Sequence, residues 1–528
     1  MSAFHDDMAA GYGFEGAAVR LGRPFQEATA PDLEVEVAIP LAFLNRHGLI
    51  AGATGTGKTR TLQLMAEQAS AAGVPVFAAD MKGDLAGLGA PGAADERVTA
   101  RAAELATTWT PAGCPVELLS LTGDDGVPLR ATVSGFGPVL LSKVLGLNDT
   151  QESSLSLIFR YCDEKGLALV DLEDLRAALA YLTGPGKAEL RELGGISTST
   201  AGVLLREVSQ LEAEGGDVFF GEPELEVGDL IRLAPDGRGI VSILNLVDVA
   251  RRPTIFSTFL MWVLAELFEH LPEVGDPEKP VLVFFFDEAH LLFADASDGF
   301  LEQVAQTVRL IRSKGVGVFF ITQLPTDVPD NVLAQLGHRV QHAVRAFTPK
   351  DARALRTAVD TFPITTHYDL AETLQSLGVG EAAVTVLDPR GVPTPVAATR
   401  LYPPASRMTP LLPEERQAAI AASPLRPKYG TRLDRESAAE LLAARTAGDA
   451  AAADEIRERE RDREVEEVRR REAETERERS TTAARRRREP KPPETLAEQV
   501  QDMLGSKVGT QVTREVLRGI FGMLRKRR

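Results

Sequence analysis

The stretch Gly52-Ala53-Thr54-Gly55-Thr56-Gly57-Lys58-Thr59 constrains this 528-residue chain more than any other. It fits the eight-position glycine-rich phosphate loop without a mismatch. An apolar run, Leu49-Ile50-Ala51, precedes it and reads as a buried strand. Leu62, Leu64, Met65, Ala66 and Ala69 follow at helical spacing, so the loop is expected to open a helix. Gly52, Gly55 and Gly57 let the backbone turn until successive amides face one phosphate chain. The helix start adds its positive dipole end. Lys58 is expected to reach the β- and γ-phosphates, and the Thr59 hydroxyl to ligate a magnesium ion. The expected ATP-binding set is therefore Gly52, Ala53, Thr54, Gly55, Thr56, Gly57, Lys58, Thr59 and Arg60.

Such a loop needs a partner strand that ends in carboxylates. Val281-Leu-Val-Phe-Phe-Phe286 is the most apolar run in the chain, and it leads into Asp287-Glu288-Ala289-His290. A run of that kind needs burial on both faces, as in a central parallel strand. Two carboxylates at its end would be costly without a partner. Asp287 is thus expected to hold magnesium through water, and Glu288 to polarise the attacking water. The next strand, Val316–Thr322, ends in Gln323, which is suited to orienting water or sensing the γ-phosphate. Arg312, Arg339 and Arg345 are candidates for a charge-stabilising arginine, and spacing does not rank them.

The remainder of the chain supplies the scaffold. Leu33, Val35, Val37, Ile39 and Leu41 alternate and suggest a strand within a short N-terminal segment, residues 1–45. Val74–Ala79 reads as a second buried strand, ending in Asp80-Met81-Lys82-Gly83-Asp84. Asp80, Lys82 and Asp84 are either nucleotide or substrate contacts, as is usual at the carboxyl end of such a strand, or a solvated turn. Helical periodicity with Gly-rich breaks marks a helical insertion at about 137–235 before strand pattern resumes at Gly239–Leu244. Pro253 then opens an apolar helix. Gly380–Leu387 and Thr394–Thr399 flank Asp388-Pro-Arg-Gly391, a type I turn signature, and make a hairpin. Residues 46–405 thus form one α/β nucleotide-binding domain.

Beyond it, residues 406–437 are Pro-rich and read as a linker. Residues 438–493 are rich in Ala, Glu and Arg, with opposite charges three or four apart. They read as a solvated helix or as disorder. Residues 494–528 regain apolar helical spacing and end in Arg525-Lys-Arg-Arg528. A helix docking a protein partner is the favoured reading, a membrane-surface or nucleic-acid tail the alternative.

Net charge is −17, and it is concentrated before residue 431. An acidic body argues against broad non-specific coating of DNA while leaving room for a local basic channel. The two cysteines, Cys114 and Cys162, lack metal-type spacing and cannot form a disulfide framework, which suits a reducing cytoplasm. The N-terminus has neither the basic region nor the apolar core of a signal peptide. The most hydrophobic long stretch, Ile255–Leu271, carries Glu266 and Glu269 and is too short and too charged to span a bilayer.

The placed motifs resemble the HerA-like helicase family, in the HerA/FtsK branch of P-loop ATPases, and most of all its bacterial subgroup with a HerA-like C-terminal domain. The resemblance rests on Asn45–Thr59, Asp80-Met-Lys-Gly-Asp-Leu85 and Phe219-Phe-Gly-Glu-Pro223. It continues through Phe284–Phe293, Val308–Gly317 and Gln335–Pro349. It implies a mostly parallel sheet of the additional-strand, catalytic-glutamate type, and a hexameric ring with nucleotide sites between subunits. It further implies Asp287 as the magnesium residue, Glu288 as catalytic base, Gln323 as sensor and Arg345 as the family's arginine. HerA translocases carry an N-terminal β-barrel, which residues 1–45 are too few to encode, so ATP hydrolysis is implied more directly than DNA pumping. The expected function is a magnesium-dependent ATPase acting as a single- or double-stranded DNA translocase or helicase. The alternative is a non-motor regulatory ATPase whose nucleotide state controls assembly with protein partners.

Overall fold

The structure, a computed structural model, describes residues 2–26, 30–192, 194–249, 253–293 and 298–486. Its strands are β1 (Ala18–Pro24), β2 (Val37–Pro40), β3 (Gly48–Ala51), β4 (Val76–Asp80), β5 (Val116–Ser120) and β6 (Val127–Pro128). They continue with β7 (Val241–Asn245), β8 (Leu282–Phe286), β9 (Val316–Thr322), β10 (His338–Gln341), β11 (Glu381–Thr385) and β12 (Ala397–Leu401). All twelve lie in one sheet, in the order β2-β1-β12-β11-β10-β3-β9-β8-β4-β7-β5-β6.

The sheet has two characters. From β10 to β6 every neighbouring pair is parallel, and from β10 through β11, β12 and β1 to β2 every pair is antiparallel. The central parallel strands β3, β4, β8 and β9 are apolar up to their carboxyl ends because both faces of the sheet are covered. All five residues of β8 and all seven of β9 are buried. Phe284, Phe285 and Phe286 stack on Phe77, Phe319 and Phe320. Burying each such ring stabilises by roughly 1.5–3 kcal/mol, enough to hold the end of β8 rigid against the cost of a buried carboxylate there.

Strand β9 lies between β3 and β8, in register Ile50↔Ile321 and Phe286↔Phe320. The phosphate-loop strand and the Asp-Glu strand are thus separated by one additional strand. The carboxyl ends of β3, β9, β8 and β4 align along one edge of the sheet, where ligands bind in open α/β folds. The excursion expected at 137–235 is helical from Val133. Helices Asp149–Lys165, Leu172–Thr183 and Thr198–Ala213 start at side-chain caps from Asn148, Asp171 and Ser197. Gly137, at φ 73°, breaks the first helix just before Pro138.

Two expected boundaries differ. Residues 1–45 are not a separate lead-in strand. A helix at Ala3–Tyr12 packs on the sheet through Phe4 and Met8, and β1 joins β12 in register Gly22↔Leu401. Of the alternating stretch 33–41 only β2 is strand, and Leu41–Arg46 is a 3-10 turn. The expected linker 406–437 is packed as well. It holds helices Pro413–Ala422 and Arg426–Tyr429, and fully buried Tyr429 bonds to Asp229 through its hydroxyl (2.6 Å) while its carbonyl accepts from Arg130 (2.9 Å). Proline there caps helices rather than spacing domains.

The chain divides into two units, residues 1–446 and 447–528. The second is helical over its described part, within a helix Ala438–Arg486. Its described side chains are exposed and carry i,i+4 pairs such as Glu455–Arg459 and Glu467–Arg471. This is a solvated helix, held by many weak pairs rather than by a core. The tail helix expected over 494–528 lies outside the described residues.

Candidate active site

The loop after β3 wraps back on itself. Gly52, Gly55 and Gly57 all have positive φ, at 152°, 79° and 116°. At Gly52 a side chain is excluded twice over, because a Cβ would lie 2.5 Å from the Cβ of His342. The amide of Gly52 donates to the carbonyls of both Thr322 (3.2 Å) and Gln323 (3.1 Å), tying the loop to the end of β9. Gly57 caps the helix Lys58–Ala71 in the left-handed region. The Lys58 ammonium is buried and curls onto its own loop, donating to the carbonyls of Gly52 (2.7 Å) and Ala53 (3.2 Å). Burial lowers its proton affinity, while the charge of Glu288 opposes that shift. Thr56 donates to the Ala53 carbonyl (2.7 Å). Thr59 is half-buried in the first turn of the helix, and Thr54 and Gly55 are exposed at the loop tip.

Behind the loop, His342 is fully buried, with Nε2 2.9 Å from the Thr61 hydroxyl. Burial depresses its pKa to about 4, so the imidazole is neutral. Its neighbourhood to the loop is set by β10, which the sequence pattern did not connect to the phosphate site.

At the ends of β4 and β8 the chemistry is acidic. Asp287 is 4% exposed, and neither of its carboxylate oxygens has a hydrogen-bond partner. Burial, then the nearby carboxylates Glu288, Asp80 and Asp84, push its pKa up to about 7 against the pull of Lys82. Asp80 is buried and spoken for: its oxygens accept from the amides of Lys82, Gly83 and Leu85. These bonds pin the turn, so buried Asp80 is not part of a solvated turn. Asp84 has one buried oxygen without a partner. Asp80, Asp84 and Asp287 each offer an oxygen, all within 4.8 Å of one another. A hard oxygen-only donor set with orphaned buried carboxylate atoms fits magnesium.

Glu288 has φ 49°, a left-handed conformation uncommon outside glycine. One carboxylate oxygen pairs with the Lys82 ammonium, and the other lies 3.2 Å from His290 Nδ1. Gln323 is exposed directly after β9. The three arginines are dispersed. Arg339 sits mid-strand opposite Leu49 and turns to the carbonyl of Leu333 (3.4 Å), away from the loop edge. Arg312 precedes β9, at the opposite edge of the sheet, 3.8 Å from Asp276. Neither is brought to the phosphate loop of its own chain, because the parallel register fixes both at the wrong level. Arg345 is exposed beyond the carboxyl end of β10.

A cavity of about 860 Å³ adjoins the loop, lined among others by Gly57, Arg60, Thr61, Arg101, Tyr402 and Met408. Of these Gly57 and Arg60 were anticipated, and Thr61 follows them in the same helix. Arg101, Tyr402 and Met408 come from segments that no local motif links to the loop.

The family described as "Helicase HerA-like C-terminal" matches residues 26–528. The chain belongs to this family. Among characterised relatives, the "DNA double-strand break repair helicase HerA" of Saccharolobus solfataricus is 21% identical over 372 residues, covering 66% of this chain and 63% of the relative. The protein of the same name from Sulfolobus acidocaldarius is 22% identical over 351 residues, covering 66% and 64%. The chain thus matches somewhat less than two thirds of the length of these relatives. Among solved structures, the bacterial conjugative coupling protein TrwBdeltaN70, in a trigonal form in complex with sulphate, aligns with a TM-score of 0.50 at 16% identity. That alignment covers 76% of this chain and 99% of the other, and the likeness is one of fold. No helix among the described residues of this HerA-like chain is long and apolar enough to cross a membrane.

Proposed function

We propose that this HerA-family chain is a magnesium-dependent ATP hydrolase that works in a ring, of six by family resemblance, as a DNA translocase or helicase motor. The observation that carries the reading is the pairing of a phosphate loop with an Asp-Glu strand end across one additional strand, on one edge of the sheet. In this reading the loop amides and Lys58 bind the phosphates, and Thr59 and Asp287 hold the magnesium ion. The metal, when bound, neutralises charge that develops on the phosphates. Glu288 accepts the proton of the attacking water, and Gln323 helps to orient that water. Arg345, exposed at the loop edge, is the arginine best placed to serve a neighbouring subunit's site. The likeness to two DNA double-strand break repair helicases supports DNA as the substrate acted on.

ATP hydrolysis by the purified full chain, with and without single- or double-stranded DNA at low and moderate salt, tests this. The expected result is stimulation by DNA that weakens as salt rises and is absent in Glu288→Gln. Hydrolysis indifferent to DNA would favour the regulatory ATPase instead, a reading that the net charge of −17 supports.

A further inference from the structure

Both lysines of the site are engaged within the chain. Lys58 is held by its own loop carbonyls. Lys82 is held by Glu288, with Asp287 Oδ2 4.0 Å away. The two differ in freedom. Lys58 is 6% exposed, whereas the Lys82 side chain is 41% exposed and can swing on a backbone that Asp80 fixes. An ammonium paired with Glu288 Oε1 occupies lone pairs of that oxygen, which is then not free to accept from water. The pair must therefore open before that oxygen can act as the base. Only an anion brought to the same corner can compete for the ammonium, and the terminal phosphate of a triphosphate is one that a diphosphate lacks.

We infer that Lys82 is a positioning residue that exchanges partners: it holds Glu288 in the ligand-free chain and moves to the γ-phosphate when a nucleoside triphosphate enters, releasing the carboxylate toward water. The inference rests on the proposed ATP site and adds to it a residue that reports the third phosphate. Asp80 and Gly83 serve the exchange by fixing the turn: the Gly83 amide closes onto Asp80 (2.7 Å), and Gly83 takes φ 75°.

Calorimetric binding of ADP and of a non-hydrolysable ATP analogue to the full chain, in magnesium buffer, tests the exchange. The proteins compared are wild type, Lys82→Met and Lys82→Arg. In Lys82→Met the preference for the analogue over ADP should fall by about 10- to 100-fold, the weight of one charge-assisted hydrogen bond. ADP affinity should stay within about twofold, showing that the site is folded, and kcat should fall with it. Lys82→Arg should regain most of the preference. An unchanged preference in Lys82→Met would overturn the assignment, as would equal losses for both nucleotides or an arginine variant no better than methionine. Wild-type chain that binds neither nucleotide would refute the site itself, an outcome distinct from an unchanged ratio.

Discussion

The loop after β3 and the acidic corner at the ends of β4 and β8 lie on the same edge of the sheet, yet they meet their electrostatic needs differently. In the loop, Lys58 and Thr56 bond to loop carbonyls, Thr61 to His342, and Gly52 to the end of β9. In the corner, both oxygens of Asp287 and one of Asp84 are buried without a partner, and Glu288 is held in an unusual backbone conformation. The loop's own polar side chains are bonded as folded, whereas the corner holds buried carboxylate oxygens without a hydrogen-bond partner that a cation would relieve. A buried group left unsatisfied costs about 1–3 kcal/mol, more if charged. The packed phenylalanines of β8 can bear that cost. The difference teaches that one half of the site is preformed for phosphate, and the other is held ready for metal.

Substituting the loop should have the largest effect. Lys58→Ala removes the charge at the centre of the phosphate site, and nucleotide affinity should drop by about 100-fold or more. Fluorescent-nucleotide titration checks this, and affinity within tenfold of wild type would break the assignment of the loop.

The acidic corner should respond in the opposite sense. With a pKa raised to about 7, ionised Asp287 penalises the metal-free fold as pH rises from about 4 to about 7, and fully above that. Asp287→Asn lacks this penalty. In chelator at pH 8 the variant should be more stable than wild type by about 1–3 kcal/mol, and the gap should close as pH falls toward 4. Thermal melts at both pH values read this. A variant less stable than wild type at pH 8 would show that Asp287 is partnered in solution.

An effect of the opposite pH direction sharpens the contrast from the loop side. Burial depresses the pKa values of His338 and His342 to about 4. The unfolded chain takes up protons below about pH 6.5 that the folded chain refuses. Stability is thus lost as pH falls from about 6.5 to about 4, by up to about 1.4 kcal/mol per pH unit for each histidine. In His342→Gln the acid limb of a melting-temperature profile should be shallower than in wild type. Equal slopes would show that His342 is protonated in the native state.

What the sequence disclosed was local. The phosphate loop, the strand before it and the carboxylates after Phe286 follow from residues adjacent in the chain, and the structure places them on one edge. Of the antiparallel flank the hairpin β11–β12 was legible from its turn, whereas β1 escaped because it pairs with β12 across nearly the whole chain. Tyr429 made a linker of prolines look unstructured, since nothing near it in sequence shows that its ring is buried against Asp229. Lys82 was visible as a candidate, but its pairing with Glu288 depends on β4 and β8 being neighbours in the sheet. The dispersal of Arg312 and Arg339 likewise follows from register, which alternation alone does not supply.

The most direct test of a site half-built for phosphate and half for metal is ATP hydrolysis by the full chain in magnesium against chelator, with Asp287→Asn alongside. The account predicts turnover in magnesium, none in chelator, and loss of at least about 100-fold in Asp287→Asn. Turnover that persists in chelator, or an Asp287→Asn enzyme as fast as wild type, would contradict it.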